Sequence, residues 1–188
     1  MSGISVRAVN PDDAEELLKI YSYYIENTAV SFEYVTPTAE EFRARIEKTL
    51  RKYPYFAVVQ DGRITGYSYA GDFVGRAAYG WSAEMTIYLS PDRRRQGTGR
   101  LLYEKMEEAL AGMGILDLYA CIGHTDRADD PYLTNDSERF HERMGYSLVG
   151  VFRSCGYKFG RWYDMVWMGK NIGEHCGGQT EVIPYKEI

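Results

Sequence analysis

Four arginines crowd into eight residues at Arg93, Arg94, Arg95 and Arg100, interleaved with Gly97 and Gly99. An apolar run ending at Leu89 precedes them, and an amphipathic stretch beginning at Gly97 follows. A strand, a tight arginine- and glycine-rich turn and a helix make the general recipe for gripping an anion. The first N–H groups of a helix have no intrahelical acceptor, and the macrodipole adds partial positive charge there. Glycine lets the backbone come close, while guanidinium groups add charge and paired donors. The competing reading is a solvated basic turn with a softened helix start. Two glycines in a first turn cost roughly 1 kcal/mol each relative to alanine, which favours the anion. No G-x-G-x-x-G is present, so this is not the dinucleotide fingerprint.

Two further residue types invite chemistry. Glu84 stands mid-strand between Ala83 and Met85, an odd place for a carboxylate unless it faces a cleft. His141 lies on a short helical stretch, and an imidazole with a reference pKa near 6.5 can exchange protons near neutrality. Each also has a plain structural reading, as a paired carboxylate and as a capping or surface histidine. Cys121, Cys155 and Cys176 have no metal-like spacing and read as reduced thiols. No metal site is expected.

The elements that must position these residues follow from pattern. Residues 4–9 alternate as a strand, and Pro11-Asp12-Asp13 opens a helix to about Asn27. Thr38 with Glu41 forms a capping box for a second helix. Tyr55–Gln60 and Ile64–Ala70 flank Asp61-Gly62-Arg63 as a hairpin. A strand is predicted from about Tyr79 to Leu89, a helix over Gly97–Met113 and a buried strand over Leu116–Ile122. Gly123–Thr134 reads as a loop, and Asn135–Met144 as a short helix. Tyr146–Cys155 and Trp162–Met168 read as strands about a glycine-rich turn at Gly156–Gly160. Hairpins mixed with crossovers imply an α/β fold, a mixed twisted β-sheet flanked by helices.

The chain has 188 residues, with 45% hydrophobic and 26% charged residues. Those values suit one globular domain over residues 1–172 with a tail over 173–188. Its formal charge of −5, from 22 Lys and Arg against 27 Asp and Glu, argues against nucleic-acid binding. The absence of a long apolar run or a signal-like start predicts no membrane association and a cytoplasmic protein. Aromatic content of 14%, with 17 tyrosines, suits a flat-walled cleft or a subunit contact.

Arg94-Arg95-Gln96-Gly97-Thr98-Gly99 resembles the acetyl-CoA loop of the GCN5-related N-acetyltransferases. Trp81–Leu89, Ser137-x-x-x-His141-Glu142-x-x-Gly145-Tyr146 and Gly156–Asp164 resemble the strand, fourth helix and final hairpin of the phosphinothricin and methionine sulfoximine branch. The likeness covers about residues 4–170. It implies acetyl-CoA as co-substrate, with its pantetheine arm along Ile87, Tyr88 and Leu89. The pyrophosphate would rest on Arg94, Arg95, Gln96, Gly97, Thr98, Gly99 and Arg100. Glu84 would take the proton of the acceptor ammonium, and His141 would return one to the departing sulfur. Arg76 and Tyr79 would bind the acidic end of an amino-acid-like acceptor, roofed by Phe32.

The branch's pantetheine-binding asparagine is displaced here: Thr134 holds its spacing and Asn135 follows. The preceding loop is long and acidic at Asp126, Asp129 and Asp130. The resemblance also implies a homodimer with a small-molecule amine as partner, and Phe159, Trp162, Tyr163 and Trp167 suit that contact. Rival readings are a polyamine or protein N-terminal acetyltransferase, the acidic loop drawing cations, and a non-catalytic acyl-CoA-binding regulator.

Overall fold

In the computed structural model, residues 3–93 and 96–185 are described. Strand β1 (Ile4–Ala8) leads through a one-turn 3₁₀ segment at Pro11–Asp13 into helix α1 (Ala14–Asn27). Helix α2 (Ala39–Leu50) follows, then β2 (Tyr55–Gln60), β3 (Arg63–Asp72) and β4 (Ser82–Leu89). Helix α3 (Thr98–Met113), β5 (Asp117–His124), α4 (Asp136–Arg143), β6 (Ser147–Lys158) and β7 (Arg161–Asn171) complete the order. The strands form one sheet in the order β1-β2-β3-β4-β5-β7-β6. Every pairing is antiparallel except β4 with β5, so the sheet is mixed, as the alternation of hairpins and crossovers implied.

Each face of the sheet carries its own core. On one side α3 packs Leu102, Met106 and Leu110 against Ala83, Met85 and Leu118. On the other, α1 and α2 place Leu17, Tyr24, Phe42 and Ile46 over Tyr55, Ala57 and Tyr67. The period of two divides β4 between them: Ala83, Met85 and Ile87 face α3, so Glu84, Thr86 and Tyr88 face α1 and α2. The capping box forms as predicted, with Thr38 Oγ1 accepting from the Glu41 N–H at 3.2 Å and Glu41 Oε2 accepting from the Thr38 N–H at 2.8 Å.

Several boundaries differ from the sequence reading. Ala77–Tyr79 is a 3₁₀ turn, and β4 begins only at Ser82. The final strands extend through the predicted glycine-rich turn to Phe159-Gly160, both at positive φ. The tail, left open by its composition, docks. Trp81 Nε1–H donates to the Thr180 carbonyl at 2.7 Å, and the N–H groups of Ile183 and Tyr185 donate to the carbonyls of Met113 and Lys52. The Tyr185 ring meets Phe56 edge-on at 5.9 Å. Among the described residues no helix is long and apolar enough to cross a membrane.

Each docking hydrogen bond contributes roughly 1 kcal/mol, and the ring contact adds buried apolar area. Removing residues 179–188 is therefore expected to destabilise the domain by about 2–4 kcal/mol. Denaturant melts should show a lower midpoint, and an unchanged midpoint would mean that the strap carries no load.

Candidate active site

The site begins with a break in the sheet. Strands β4 and β5 pair through three positions only: Ser82 with Asp117, Ala83 with Leu118 and Glu84 with Tyr119. Beyond Glu84 the two strands part. The far half of β4 keeps β3 on one side, with Ile87 opposite Ser68, Tyr88 opposite Tyr67 and Leu89 opposite Gly66, and has no strand on the other. A cavity of about 270 Å³ occupies the gap, bordered by Glu84, Thr86, Ile87, Cys121, Phe32 and His141 among others. A strand edge with free N–H and C=O groups is built to accept an extended amide chain. One carbonyl of the row is already used, since the Tyr24 hydroxyl donates to Leu89 O at 2.5 Å.

Helix α3 starts at the end of this gap. Its N-cap, Gly97, has φ of +80°, a left-handed conformation that glycine tolerates and other residues resist. The N–H groups of Thr98, Gly99 and Arg100 precede the first intrahelical donor, Leu101, and lack helical acceptors. Gly99 has a packing reason beyond anion approach: a Cβ there would stand 3.2 Å from the Phe140 ring and 3.3 Å from Leu89 Cδ1. Arg100 is exposed and ion-paired to Glu104 at 2.6 Å, while Gln96 is exposed. Arg94 and Arg95 lie outside the described residues.

Glu84 is the outlier of the gap. It lies half-buried on the cleft wall, and among the described residues its carboxylate has neither hydrogen-bond nor ion-pair partner. Burial alone raises its pKa above the usual glutamate range. The paired-carboxylate alternative therefore has no partner to support it. Cys121 opens on the same cleft with its sulfur against Met165 Sδ; shielding from bulk water raises its thiol pKa to about 12, which suits a poor nucleophile.

His141 differs from its expected state. It is 2% exposed, Nδ1 lies 2.7 Å from the Ser137 carbonyl and Nε2 lies 2.7 Å from the Tyr103 hydroxyl. A carbonyl only accepts, so Nδ1 carries the hydrogen and Nε2 accepts from Tyr103. Burial lowers the imidazole pKa to about 4, against a smaller opposing pull from the Ser137 carbonyl. At neutral pH the ring is neutral, and the expectation of a histidine poised near 6.5 is corrected by its burial. Tyr103, also on the cleft wall, gave no signal in sequence, because its spacing is that of a core residue of α3.

Other expected binders are distributed differently. Phe32 does border the cleft and seats against Gly156, where a Cβ would come within 2.4 Å of its ring. Lys158 anchors that roof loop, its buried Nζ donating to the Thr28 and Ser31 carbonyls at 2.9 and 2.6 Å. Arg76, the N-cap of the 3₁₀ segment before β4, and Tyr79, its last residue, lie exposed outside the cleft lining. The Asn135 amide is occupied by the backbone of Thr125, accepting at 3.3 Å and donating at 2.9 Å.

The loop after β5 is not an open acidic patch. Asp130 is buried and accepts from the N–H groups of Tyr132 and Leu133, the Tyr163 hydroxyl and Arg161. Asp126 pairs with His124 and Arg153. The cation-attracting role considered for this loop thus loses two of its three carboxylates to internal pairing.

A family model described as an acetyltransferase (GNAT) domain matches residues 6–167. The phosphinothricin N-acetyltransferase of Alcaligenes faecalis is 34% identical over 169 residues, covering 89% of this chain and 82% of that protein. The L-methionine sulfoximine/L-methionine sulfone acetyltransferase of Salmonella typhimurium is 25% identical, covering 92% and 97%. Among solved structures, a GNAT superfamily phosphinothricin acetyltransferase from Sinorhizobium meliloti in complex with AcCoA superposes with a TM-score of 0.83 at 28% identity, covering 95% of this chain and 92% of that one. The chain belongs to the GNAT acetyltransferase family. Within the family, its matches include the phosphinothricin and methionine sulfoximine acetyltransferases.

The His141 geometry makes a spectroscopic prediction. Imidazole NMR should show a neutral Nδ1–H ring that holds from pH 8 down to about 5 and titrates near 4. Because the folded pKa lies below the unfolded value near 6.5, the unfolded chain binds the proton first, and stability falls as pH drops from about 6.5 toward 4. A His141 titration midpoint near 6.5 would contradict the buried pairing.

Proposed function

We propose that this acetyltransferase moves the acetyl group of acetyl-CoA to the amine of a small amino-acid-like acceptor, by direct transfer with both substrates bound. The observation that carries the acceptor chemistry is the carboxylate of Glu84, without a partner among the described residues, at the point where β4 and β5 part. Acetyl-CoA, the donor of the family, supplies an electrophilic thioester carbonyl and a thiolate leaving group. The fit is supported by the unpaired edge of β4 for the pantetheine arm and the free first turn of α3 for the pyrophosphate. Arg94, Arg95, Gln96, Gly97, Thr98, Gly99 and Arg100 are assigned to the pyrophosphate, and Ile87, Tyr88 and Leu89 to the arm. Asn135 is assigned to shaping the loop beside it.

Glu84 takes a proton from the acceptor ammonium, directly or through water, leaving the lone pair free to attack. A backbone N–H near Ile87 polarises the thioester carbonyl as charge builds on its oxygen. Holding both reactants in the gap supplies much of the acceleration. His141 is assigned to fixing the Tyr103 hydroxyl on the cleft wall. The sulfur regains its proton from the amine through Glu84 and water, since a neutral His141 has no proton on Nε2 to give. Phe32 is assigned to the acceptor's roof, and Arg76 and Tyr79, exposed just before β4 and outside the cleft lining, to the acceptor's carboxylate as it enters. The names of the phosphinothricin and methionine sulfone acetyltransferases support this acceptor class over polyamines.

Glu84→Gln is expected to lower kcat by about 10²–10⁴-fold with acetyl-CoA affinity unchanged. The wild-type rate should fall on acidification through a pKa above the ordinary glutamate value, because the raised carboxyl protonates early. A fully active variant would sink the base assignment, and retained acetyl-CoA binding with no turnover by wild type on any amine would favour a non-catalytic binder.

We also propose a homodimer through the β6 edge. This strand spans 12 residues at the sheet's margin, with Leu148, Val149 and Phe152 more than half exposed. An apolar edge of that length invites pairing. Of the aromatics expected there only Trp162 is exposed: Tyr163 is buried, Trp167 meets Phe73 edge-on at 5.4 Å, and Phe159 stacks on Tyr132 at 4.2 Å. Light scattering should give twice the 21.6 kDa chain mass, and Val149→Lys with Phe152→Glu should give one. A monomeric wild type at micromolar concentration would remove the proposal.

A further inference from the structure

Two of the chain's three histidines end in opposite charge states. His141 pairs one nitrogen with a carbonyl and the other with a hydroxyl, and is neutral. His124, the last residue of β5, stands between two carboxylates instead: Nδ1 lies 2.6 Å from Glu138 Oε1, and Nε2 lies 3.0 Å from Asp126 Oδ1. An ionised carboxylate only accepts, so both ring nitrogens carry hydrogens and the ring is a cation. Glu138 belongs to the first turn of α4. We propose that His124 is a positioning residue of the donor site: its imidazolium clamps α4 to the end of β5, and acetyl-CoA binds more tightly while that proton is in place. The inference rests on the donor placement proposed above, with the pyrophosphate at the start of α3 and the pantetheine arm along β4.

Helix α4 is short and thinly held, yet it shapes the donor site. Among its described residues only His141 is buried, and Phe140 packs half-buried against the α3 core. Ser137 lines the cleft, and its carbonyl fixes His141, which in turn fixes the Tyr103 hydroxyl on the cleft wall. Phe140 meets Tyr103 edge-on at 5.0 Å and covers Gly99, where an added Cβ would stand 3.2 Å from its ring. Gly99 belongs to the turn assigned to the pyrophosphate. Two ties join the start of α4 to the end of β5. One is neutral, the Asn135 amide bracketing the Thr125 backbone. The other, His124 with Glu138, is charged, and both side chains are only 18% exposed, so solvent screens the pair little.

The surrounding charges favour the cation. Asp164 of β7 is the register partner of His124, and Arg153 of β6 holds Asp164 at 2.6 Å and Asp126 at 3.3 Å. Three carboxylates, Glu138, Asp126 and Asp164, thus share two cations, His124 and Arg153. Burial opposes the charge on His124, but the bonds to Glu138 and Asp126 outweigh it and raise the pKa above the ordinary value near 6.5. Above the raised pKa the proton passes to water, and one nitrogen turns a lone pair toward a carboxylate. The folded value is the higher one, so the clamp is complete below a pH of about 6.5 and is lost as pH rises through the folded pKa. Linkage makes the effect reciprocal: the factor by which protonation tightens acetyl-CoA binding is the factor by which acetyl-CoA tightens proton binding.

With three histidines, the full-length protein can be titrated ring by ring by imidazole NMR. His124 is expected as a doubly protonated ring whose midpoint lies above the ordinary histidine value and rises further with saturating acetyl-CoA. Calorimetry supplies the reciprocal measure. Glu138→Gln keeps the side chain's length and removes its charge, so the ratio of its acetyl-CoA Kd to that of wild type should be about five or more below the midpoint and close to one above it. His124→Gln, which can reach one carboxylate but carries no charge, should give the same profile, and the exposed His175→Gln should match wild type throughout. A His124 midpoint at or below the ordinary value, or one that acetyl-CoA leaves in place, would overturn the clamp. So would a Kd ratio that is the same at every pH, the mark of a merely structural pair. Each of these leaves the donor placement standing, whereas acetyl-CoA that binds and protects amides elsewhere than 85–89 and 97–100 would remove the placement itself.

Discussion

The site depends on the parting of two parallel strands. β4 and β5 hold together through Glu84 and Tyr119 and then separate, which leaves the second half of β4 with one neighbour. An unpaired edge inside a sheet is costly unless something completes it, because buried backbone groups need partners. Here the break places three things at one point. It opens a cleft between the two helical layers, leaves a backbone row for an extended ligand and sets the Glu84 carboxylate on the cleft's border. The β3–β4 register and the α3 core fix the geometry from one side. The β5–β7–β6 sheet, braced through Asp130 and Lys158, fixes it from the other.

Burial then sorts the titratable groups of the cleft by role. Glu84 is desolvated without a partner among the described residues, so its proton affinity rises and it becomes a better base than a surface glutamate. His141 is desolvated, which suppresses its charged form against the opposing pull of the Ser137 carbonyl, and with both nitrogens engaged it becomes a fixed hydrogen-bond partner of Tyr103. The same loss of hydration acts on both and gives opposite consequences, because one group is charged when deprotonated and the other when protonated.

Much of this was legible in the residues. Alternation and capping located the mixed sheet and its helices, and the Thr38–Glu41 box forms as its spacing required. Glu84 drew notice because a carboxylate between Ala83 and Met85 breaks an apolar pattern. What stayed hidden was set by tertiary contacts. Whether His141 is charged depends on its burial, set by contacts distant in sequence such as Tyr103, 38 residues away. The long acidic loop reads as a solvated patch until Asp130 is seen accepting from Tyr163 and Arg161 inside it. Tyr79, expected to start a strand, ends a 3₁₀ turn whose N-cap is Arg76, and the chain carries both outside the cleft lining.

The central claim, that the gap takes the pantetheine arm as an added strand with the pyrophosphate at the start of α3, is tested most directly by hydrogen exchange with and without acetyl-CoA. Saturating acetyl-CoA is predicted to slow exchange at the amides of the β4 segment 85–89 and at 97–100, while amides of β1 and β2 stay unchanged. Protection that appears elsewhere, with the 85–89 and 97–100 amides exchanging as in the free protein, would contradict the account.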